Sequence, residues 1–128
     1  MAGTIAADTL THSTAGSLTT DYIVNGSAKA WANLNGTGTI ALRDSLNITS
    51  VTDNSTGNYT FNFASNMANA NYSFVQMNAG AAAYGSYGVY DQMFTAPTSS
   101  SFRTTTRSNG GVAVDIIQVN DAAHGDLA

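Results

Sequence analysis

The sequence predicts an all-β fold, an antiparallel β-sandwich or small barrel of about seven to eight strands with an extended N-terminal arm. Glu is absent, and Lys and Arg together number 4 in 128 residues, so the common helix-forming residues are nearly missing. Several segments place apolar side chains at every second position, which is the period of a strand. Clusters of Gly, Asn, Ser and Thr separate these segments at roughly 8-to-12-residue spacing, as in antiparallel β-domains.

Residues 1–27 differ from the rest of the chain in composition and in the spacing of their hydrophobic residues. Their large hydrophobic residues stand mostly singly among Thr, Ala and Ser. Such a segment cannot bury enough apolar surface to become ordered by itself. We therefore expect an N-terminal arm over residues 1–27 that docks on another surface or straps to a neighbouring subunit, followed by one β-sandwich domain over residues 28–128.

The first predicted strand covers residues 28–34. Small or aliphatic residues alternate there with Lys29, Trp31 and Asn33. Because successive side chains in a strand point to opposite faces, this alternation predicts a strand whose two faces are both partly covered. The Gly and Asn residues that follow predict a turn, and residues 40–51 predict a strand with a break near Arg43.

The aromatic residues Tyr59, Phe61 and Phe63 occupy alternate positions directly after a cluster of turn-forming residues. In a strand, these three rings share one face, while the polar residues between them take the other. The cluster over residues 53–58 tolerates turn conformations, which predicts a hairpin that enters a half-buried strand. The aromatic face requires a second layer to cover it.

The C-terminal half contains further alternating segments. Residues 72–78, 89–94 and 102–107 are each predicted as strands. Residues 108–111 read Ser-Asn-Gly-Gly, the strongest hairpin signal in the chain. This turn predicts that the preceding strand pairs with a strand over residues 112–119.

Composition excludes several classes of partner. A net charge of −4 with only 4 Lys and Arg gives no basic patch for nucleic acid. No apolar run reaches the length that membrane insertion requires, and the N-terminus lacks a signal-peptide pattern, so secretion by that route is not expected. The chain has 0 Cys, which excludes disulfides and thiolate chemistry.

No motif for catalysis, metal binding or cofactor binding is found, and we expect that the protein is not an enzyme. His12 and His124 lie near opposite ends of the chain, without a second ligand at helix or strand spacing. The sequence offers no G-x-S-x-G elbow for a nucleophile. Carboxylates could still meet in space as a catalytic pair, and nothing in the sequence selects two of them. The candidates are Asp44, Asp53, Asp91 and Asp115.

Residues 84–90, Tyr-Gly-Ser-Tyr-Gly-Val-Tyr, form the segment with the clearest potential for binding. Its tyrosines Tyr84, Tyr87 and Tyr90 stand among glycines. A tyrosine offers both a flat apolar face and a hydroxyl, which suits contact with a sugar or a protein surface. The same rings could instead pack against a neighbouring subunit, since glycines allow backbones to approach closely. We predict that these tyrosines contact a receptor or a subunit.

Residues 27–75 contain a series of short motifs. They are Ala28-Lys29-Ala30-Trp31, Asn35-Gly36-Thr37-Gly38-Thr39, Ile40-Ala41-Leu42-Arg43-Asp44-Ser45, Thr52-Asp53-Asn54, Gly57-Asn58-Tyr59-Thr60, and Met67 with Asn69-Ala70-Asn71-Tyr72. As a block, these motifs resemble a module that recurs in tail-fibre and related virion proteins of tailed bacteriophages. The resemblance implies a β-rich, trimeric structural part of a virion, with no catalytic residues to transfer.

The resemblance also implies partners and a location. We expect a homotrimer in a tail fibre or tail appendage that contacts a glycan or protein of the host surface. The arm would then attach to other virion proteins, and assembly would take place in the host cytoplasm. The low charge content agrees with self-association, because few surface charges oppose it. The alternatives are a capsid decoration or cement protein and a free carbohydrate-binding module.

Overall fold

The computed structural model describes residues 3–79, 90–93, 95–108 and 110–128. Two four-stranded antiparallel sheets face each other around a shared core, and a separate two-stranded sheet precedes them. The predicted all-β, antiparallel fold is therefore confirmed. The sandwich contains eight strands in the described part of the chain, within the predicted range.

The N-terminal region has regular structure: β1 (Thr9–His12), β2 (Gly16–Thr19) and α1 (Thr20–Gly26). The first sheet of the sandwich is formed by β3 (Ala28–Asn35), β4 (Ala41–Leu46), β7 (Ser73–Gln76) and β10 (Val119–His124). The second is formed by β5 (Ile48–Ser55), β6 (Asn58–Phe63), β8 (Tyr90–Met93) and β9 (Ser101–Arg107).

We refer to the two layers as the Trp31 sheet and the Phe61 sheet. The strand order is β4-β3-β10-β7 in the Trp31 sheet and β5-β6-β9-β8 in the Phe61 sheet. The first and last strands of the sandwich, β3 and β10, lie side by side at the centre of the Trp31 sheet. Strands β4 and β7 form its edges.

The core confirms the aromatic face predicted from the sequence. Tyr59 and Phe61 are 0% exposed and Phe63 is 5% exposed. Phe61 stacks on Phe102 of the neighbouring strand β9, with ring centroids 4.9 Å apart and an interplanar angle of 8°. The opposite layer contributes alternate small and aliphatic side chains of β3, which are also buried. The predicted alternation over residues 28–34 is thus confirmed.

The predicted strand over residues 40–51 is two strands that belong to different sheets. Residue Asn47 separates them with a φ of 56°, a left-handed conformation that Asn tolerates better than most residues. The chain crosses there from the Trp31 sheet to the Phe61 sheet. The expected break near Arg43 is present as a smaller register shift, because Asp44 and Leu42 pair with adjacent residues of β3.

The prediction of a strand over residues 112–119 is wrong. The Gly111 N–H donates to the Ser108 carbonyl, so the chain turns where predicted. The following segment meets β9 through the isolated Arg107–Ala113 bridge and through backbone hydrogen bonds such as that from the Val114 N–H to the Thr106 carbonyl, but it does not form a strand. The last strand is β10, whose sequence Val-Asn-Asp-Ala-Ala-His has low intrinsic strand preference. Pairing with β3 on one side and β7 on the other overrides that preference.

A buried polar contact holds the segment between β9 and β10 onto the sandwich. Asp115 Oδ1 lies 2.9 Å from the Tyr59 hydroxyl and accepts from the Gly57 N–H at 2.6 Å. The Gly36 carbonyl lies 3.0 Å from the same hydroxyl, so the two acceptors share one proton. Burial, and then the adjacent Asp115 carboxylate, raise the pKa of Tyr59.

This contact predicts a loss of stability in alkali. A tyrosine whose pKa is raised by folding contributes stability below its unfolded pKa of about 10, and that contribution falls as the pH rises further. Burial also raises the pKa of Tyr72, to about 12.

We expect urea midpoints to fall above pH 10 for the wild type and to fall less steeply for Tyr59→Phe. At pH 7 the same variant should lose about 1 kcal/mol of unfolding free energy, from the lost hydrogen bond. If the urea midpoints of the wild type and of Tyr59→Phe fell equally steeply above pH 10, the raised pKa of Tyr59 in the folded protein would be contradicted.

Candidate interaction surface

The tyrosines predicted to contact a receptor or a subunit lie outside the residues whose side chains the structure describes. Tyr84 and Tyr87 fall in the undescribed segment between β7 and β8. Tyr90 begins β8, whose backbone pairs antiparallel with β9, with Tyr90 opposite Arg107. The contact role of these three tyrosines stays a prediction.

The two histidines take part in local hydrogen bonds. His12 Nδ1 accepts from the backbone N–H groups of Thr14 and Ala15 and so closes the turn between β1 and β2. His124 Nδ1 lies 3.1 Å from the Gly26 carbonyl, which can only accept, so the ring nitrogen donates. In the described part of the chain, no group of three or more His and Asp residues could hold a metal ion.

The aspartates named as possible catalytic pairs have structural contacts where they are described. Asp44 Oδ1 accepts from the backbone N–H of its neighbour Ser45 at 2.8 Å. Asp53 pairs with Tyr59 across β5 and β6, and its charge, like that of Asp115, contributes to the raised pKa of Tyr59. The Asp115 contacts described above hold the β9–β10 connection in place. The structure does not describe the side chain of Asp91.

An apolar row crosses the outer face of the Trp31 sheet. Trp31 pairs with Leu46 on one side and with Ala122 on the other, and Ala122 pairs with Val75. Directly paired residues of antiparallel strands project to the same face of a sheet. Since the neighbouring residues of β3 face the core, this row faces away from it. The row therefore presents Leu46, Trp31, Ala122 and Val75 across all four strands; we call this surface the Trp31 face.

The Trp31 face is only partly covered, because Trp31 and Ala122 at its centre are partly buried and the residues at both ends of the row are exposed. Leu46 is 48% exposed and Val75 is 54% exposed. Met77 continues the alternation just beyond β7 and is 80% exposed. A shallow groove of about 190 Å³ runs beside Val75 and Met77, between β7 and β10. Exposed apolar residues that form a continuous row mark an interaction site more often than single exposed residues do.

Polar groups border this apolar row. Arg43 Nη1 donates to Asn33 Oδ1 at 3.1 Å, which places the guanidinium on the face that Trp31 occupies. Asn120 lies beside Asn33 across the strand pair, and its Nδ2 donates to the Met77 carbonyl at 2.8 Å. An apolar centre with a polar border that includes Arg is typical of protein–protein contact surfaces.

Only Trp31 of this row was predictable from the sequence. The alternation within β3 is visible there and placed Trp31 on a partly covered face. The alternation did not bring Leu46 and Val75 to that face, because the order and register of β4, β10 and β7 depend on tertiary pairing. The paired row is thus a feature of the folded sheet.

The N-terminal region is a second uncovered apolar element. Residues 3–26 are all exposed except Thr20, which is partly buried. In the β1–β2 hairpin, Leu10 pairs with Leu18, so the two side chains share one face. The hydroxyls of Thr11 and Ser17, another pair, lie 3.0 Å apart and occupy the opposite face. The hairpin is therefore amphipathic and leaves its leucine face open.

Comparison with protein-family models, with curated proteins and with solved structures gives no match for this chain. Among the residues that the structure describes, no helix has both the length and the apolar character needed to cross a bilayer.

Proposed function

We propose that this protein is a structural subunit of a bacteriophage virion that assembles as a homotrimer in a tail fibre or tail appendage. The observation that carries the proposal is the apolar row of the Trp31 face. A subunit that works alone would leave this row in water, whereas association with further copies buries it.

The sequence resemblance supplies the virion context of the proposal. The resembling block, residues 27–75, corresponds to strands β3, β4, β5 and β6 and most of β7. These strands contribute to both layers of the sandwich, including Trp31 and the whole aromatic face. A module that is reused among fibre proteins has to retain its core and its contact surface, and this block contains parts of both.

The composition of the surface supports the same proposal. Only 9% of the residues are charged, so electrostatic repulsion between copies is weak. Both histidines and Asp115 make hydrogen bonds within the chain. Such stabilising contacts are the role that a structural subunit requires of these side chains. Contact with a host glycan or protein, through the segment that contains Tyr84, Tyr87 and Tyr90, is part of the proposed role.

The first test is the oligomeric state in solution. We expect light scattering with size-exclusion chromatography to give three times the 13.2 kDa mass of one chain at micromolar concentration. The variant Val75→Asp should dissociate more readily, because it buries a charge at the contact. Val112→Asp is the matched control, since Val112 is 66% exposed and lies in the β9–β10 connection.

A stable monomer at these concentrations would contradict the proposal. If such a monomer also bound glycans in a Trp31-dependent manner, it would be a carbohydrate-binding module instead. For a confirmed trimer, the copy number in purified particles separates the two virion roles. A small copy number identifies a tail component, and a number comparable to that of the shell subunits identifies a capsid decoration protein.

A further inference from the structure

The N-terminal region has little to stabilise it within its own chain. A two-stranded hairpin is at best marginally stable in water, and helices shorter than about 12 residues are marginal as well. Helix α1 has 7 residues, none of them buried, and no side-chain cap at its N-terminus. The described hydrogen bonds to the sandwich are those of Lys29 to the Val24 carbonyl and of His124 to the Gly26 carbonyl.

This region offers an apolar surface of its own. Its exposed large side chains include Tyr22, which is 69% exposed, and Ile5, which is 92% exposed. A hollow of about 540 Å³ is lined mainly by apolar side chains from the chain start, the hairpin and the helix, together with Asp8 and Thr20. Most of the large apolar side chains that the described residues leave exposed belong either to this region or to the Trp31 sheet. The apolar surface of the N-terminal region is therefore suited to pack against that of the Trp31 sheet.

Charge complements the apolar match. Residues 3–26 contain two carboxylates, Asp8 and Asp21, and no Lys or Arg. The Trp31 face has the Arg43 guanidinium beside its apolar row and also one carboxylate, that of Asp44, which pairs with Asn33. An exposed ion pair adds little affinity, but it favours one orientation of the docked segment over others.

We propose that residues 3–26 of one copy pack across the Trp31 face of a neighbouring copy. This inference rests on the self-association proposed above and names the contact that produces it. A second copy is the fitting occupant because each chain carries one exposed N-terminal region and one partly exposed Trp31 face. Each copy can therefore cover the face of one neighbour while another neighbour covers its own. A head-to-tail contact of this kind is heterologous, and it closes into a ring when the rotation between copies matches the subunit number. Three copies then form a closed trimer in which every Trp31 face is covered.

The chain contains 1 Trp, so fluorescence reports on the Trp31 face alone. We expect Trp31 emission to shift to shorter wavelength and to resist acrylamide quenching when the protein assembles, and to lose both properties on dilution to the monomer. The double variant Leu10→Asp/Leu18→Asp should raise the dissociation constant by about tenfold or more, because it charges the leucine face of the hairpin. Both residues are exposed, so the sandwich should fold unchanged, and Val112→Asp is again the matched control.

Three outcomes would overturn the arm contact. Trp31 could resist quenching in the dissociated monomer, which would mean that a chain covers its own face. It could stay open to quencher in a confirmed trimer, which would mean that the trimer uses another surface. The double variant could assemble as tightly as the control, which would mean that something other than the hairpin covers Trp31. In the last two outcomes the trimer survives, so the failure of this inference is separable from failure of the proposed function.

Cross-linking provides an independent measurement. The chain has 0 Cys, so introduced cysteines react without background. We expect a disulfide between copies when Leu10→Cys protein is mixed, unfolded and refolded with Val75→Cys or Leu46→Cys protein of distinguishable mass. The pairing of Leu10→Cys with Val112→Cys should give none. Equal yields in both mixtures would contradict the contact.

Discussion

Replacing Phe61 by Ala is expected to lower the free energy of unfolding by about 3–5 kcal/mol. Phe61 is fully buried between the two sheets, and its ring stacks on Phe102 and adjoins the rest of the aromatic face. The substitution removes a large apolar surface from the core and leaves a cavity that the paired strands cannot close. Domains of this size have only about 5–15 kcal/mol of stability in total, so the loss is large.

Urea unfolding followed by circular dichroism measures this loss at one fixed protein concentration, because assembly also stabilises the folded state. Val112→Ala removes an exposed apolar side chain and should change stability by no more than about 0.5 kcal/mol. A Phe61→Ala midpoint close to that of Val112→Ala would contradict the burial of the aromatic face.

Replacing Gly57 by Ala is expected to cost roughly 3 kcal/mol or more, for two separate reasons. Gly57 has a φ of 61°, a conformation that residues with a Cβ adopt at a cost of about 1 kcal/mol. An added Cβ would also lie 2.6 Å from the carbonyl oxygens of Thr106 and Val114. Those oxygens belong to the backbone of β9 and of the β9–β10 connection, which cannot move aside without loss of hydrogen bonds.

The variant Gly38→Ala separates the backbone cost from the cost of the steric clash. The φ of Gly38, 65°, is nearly the same as that of Gly57, but an added Cβ there meets no atom within 4 Å. Gly38→Ala should therefore show the backbone cost alone, about 1 kcal/mol. Thermal or urea unfolding of the two variants side by side gives the steric contribution as their difference. Equal losses would mean that the connection does not pack on Gly57 as the structure has it.

The sequence predicted those parts of the fold whose residue pattern lies within a single strand. The alternation of Tyr59, Phe61 and Phe63 predicted a buried face, and the turn residues before them predicted the hairpin. Strand β10 was missed because Asn, Asp and Ala rarely mark a strand, and its stability comes from partners on both sides. The crossing at Asn47 was not predicted, because hydrophobic phase alone does not show that a chain changes sheets.

The candidate surface was less predictable than the fold. Trp31 was placed on a partly covered face by alternation, but the row also needs Leu46 from the next strand, β4, and Val75 from the distant strand β7. Their meeting depends on β10 lying between β3 and β7, and that order was not predictable from local pattern. The tyrosine prediction for residues 84–90 came from composition alone.

The pairing of β3 with β10 determines where attachments to the molecule emerge. Ala28, at the start of β3, lies opposite His124, at the end of β10. The chain therefore enters and leaves the sandwich on one side, while the tight bends at Gly36 and Gly57 lie on the other. A label, tether or additional domain fused after β10 would project from this pole and leave the opposite pole clear. An engineered array of this subunit could use that pole for immobilisation and display the far bends outward.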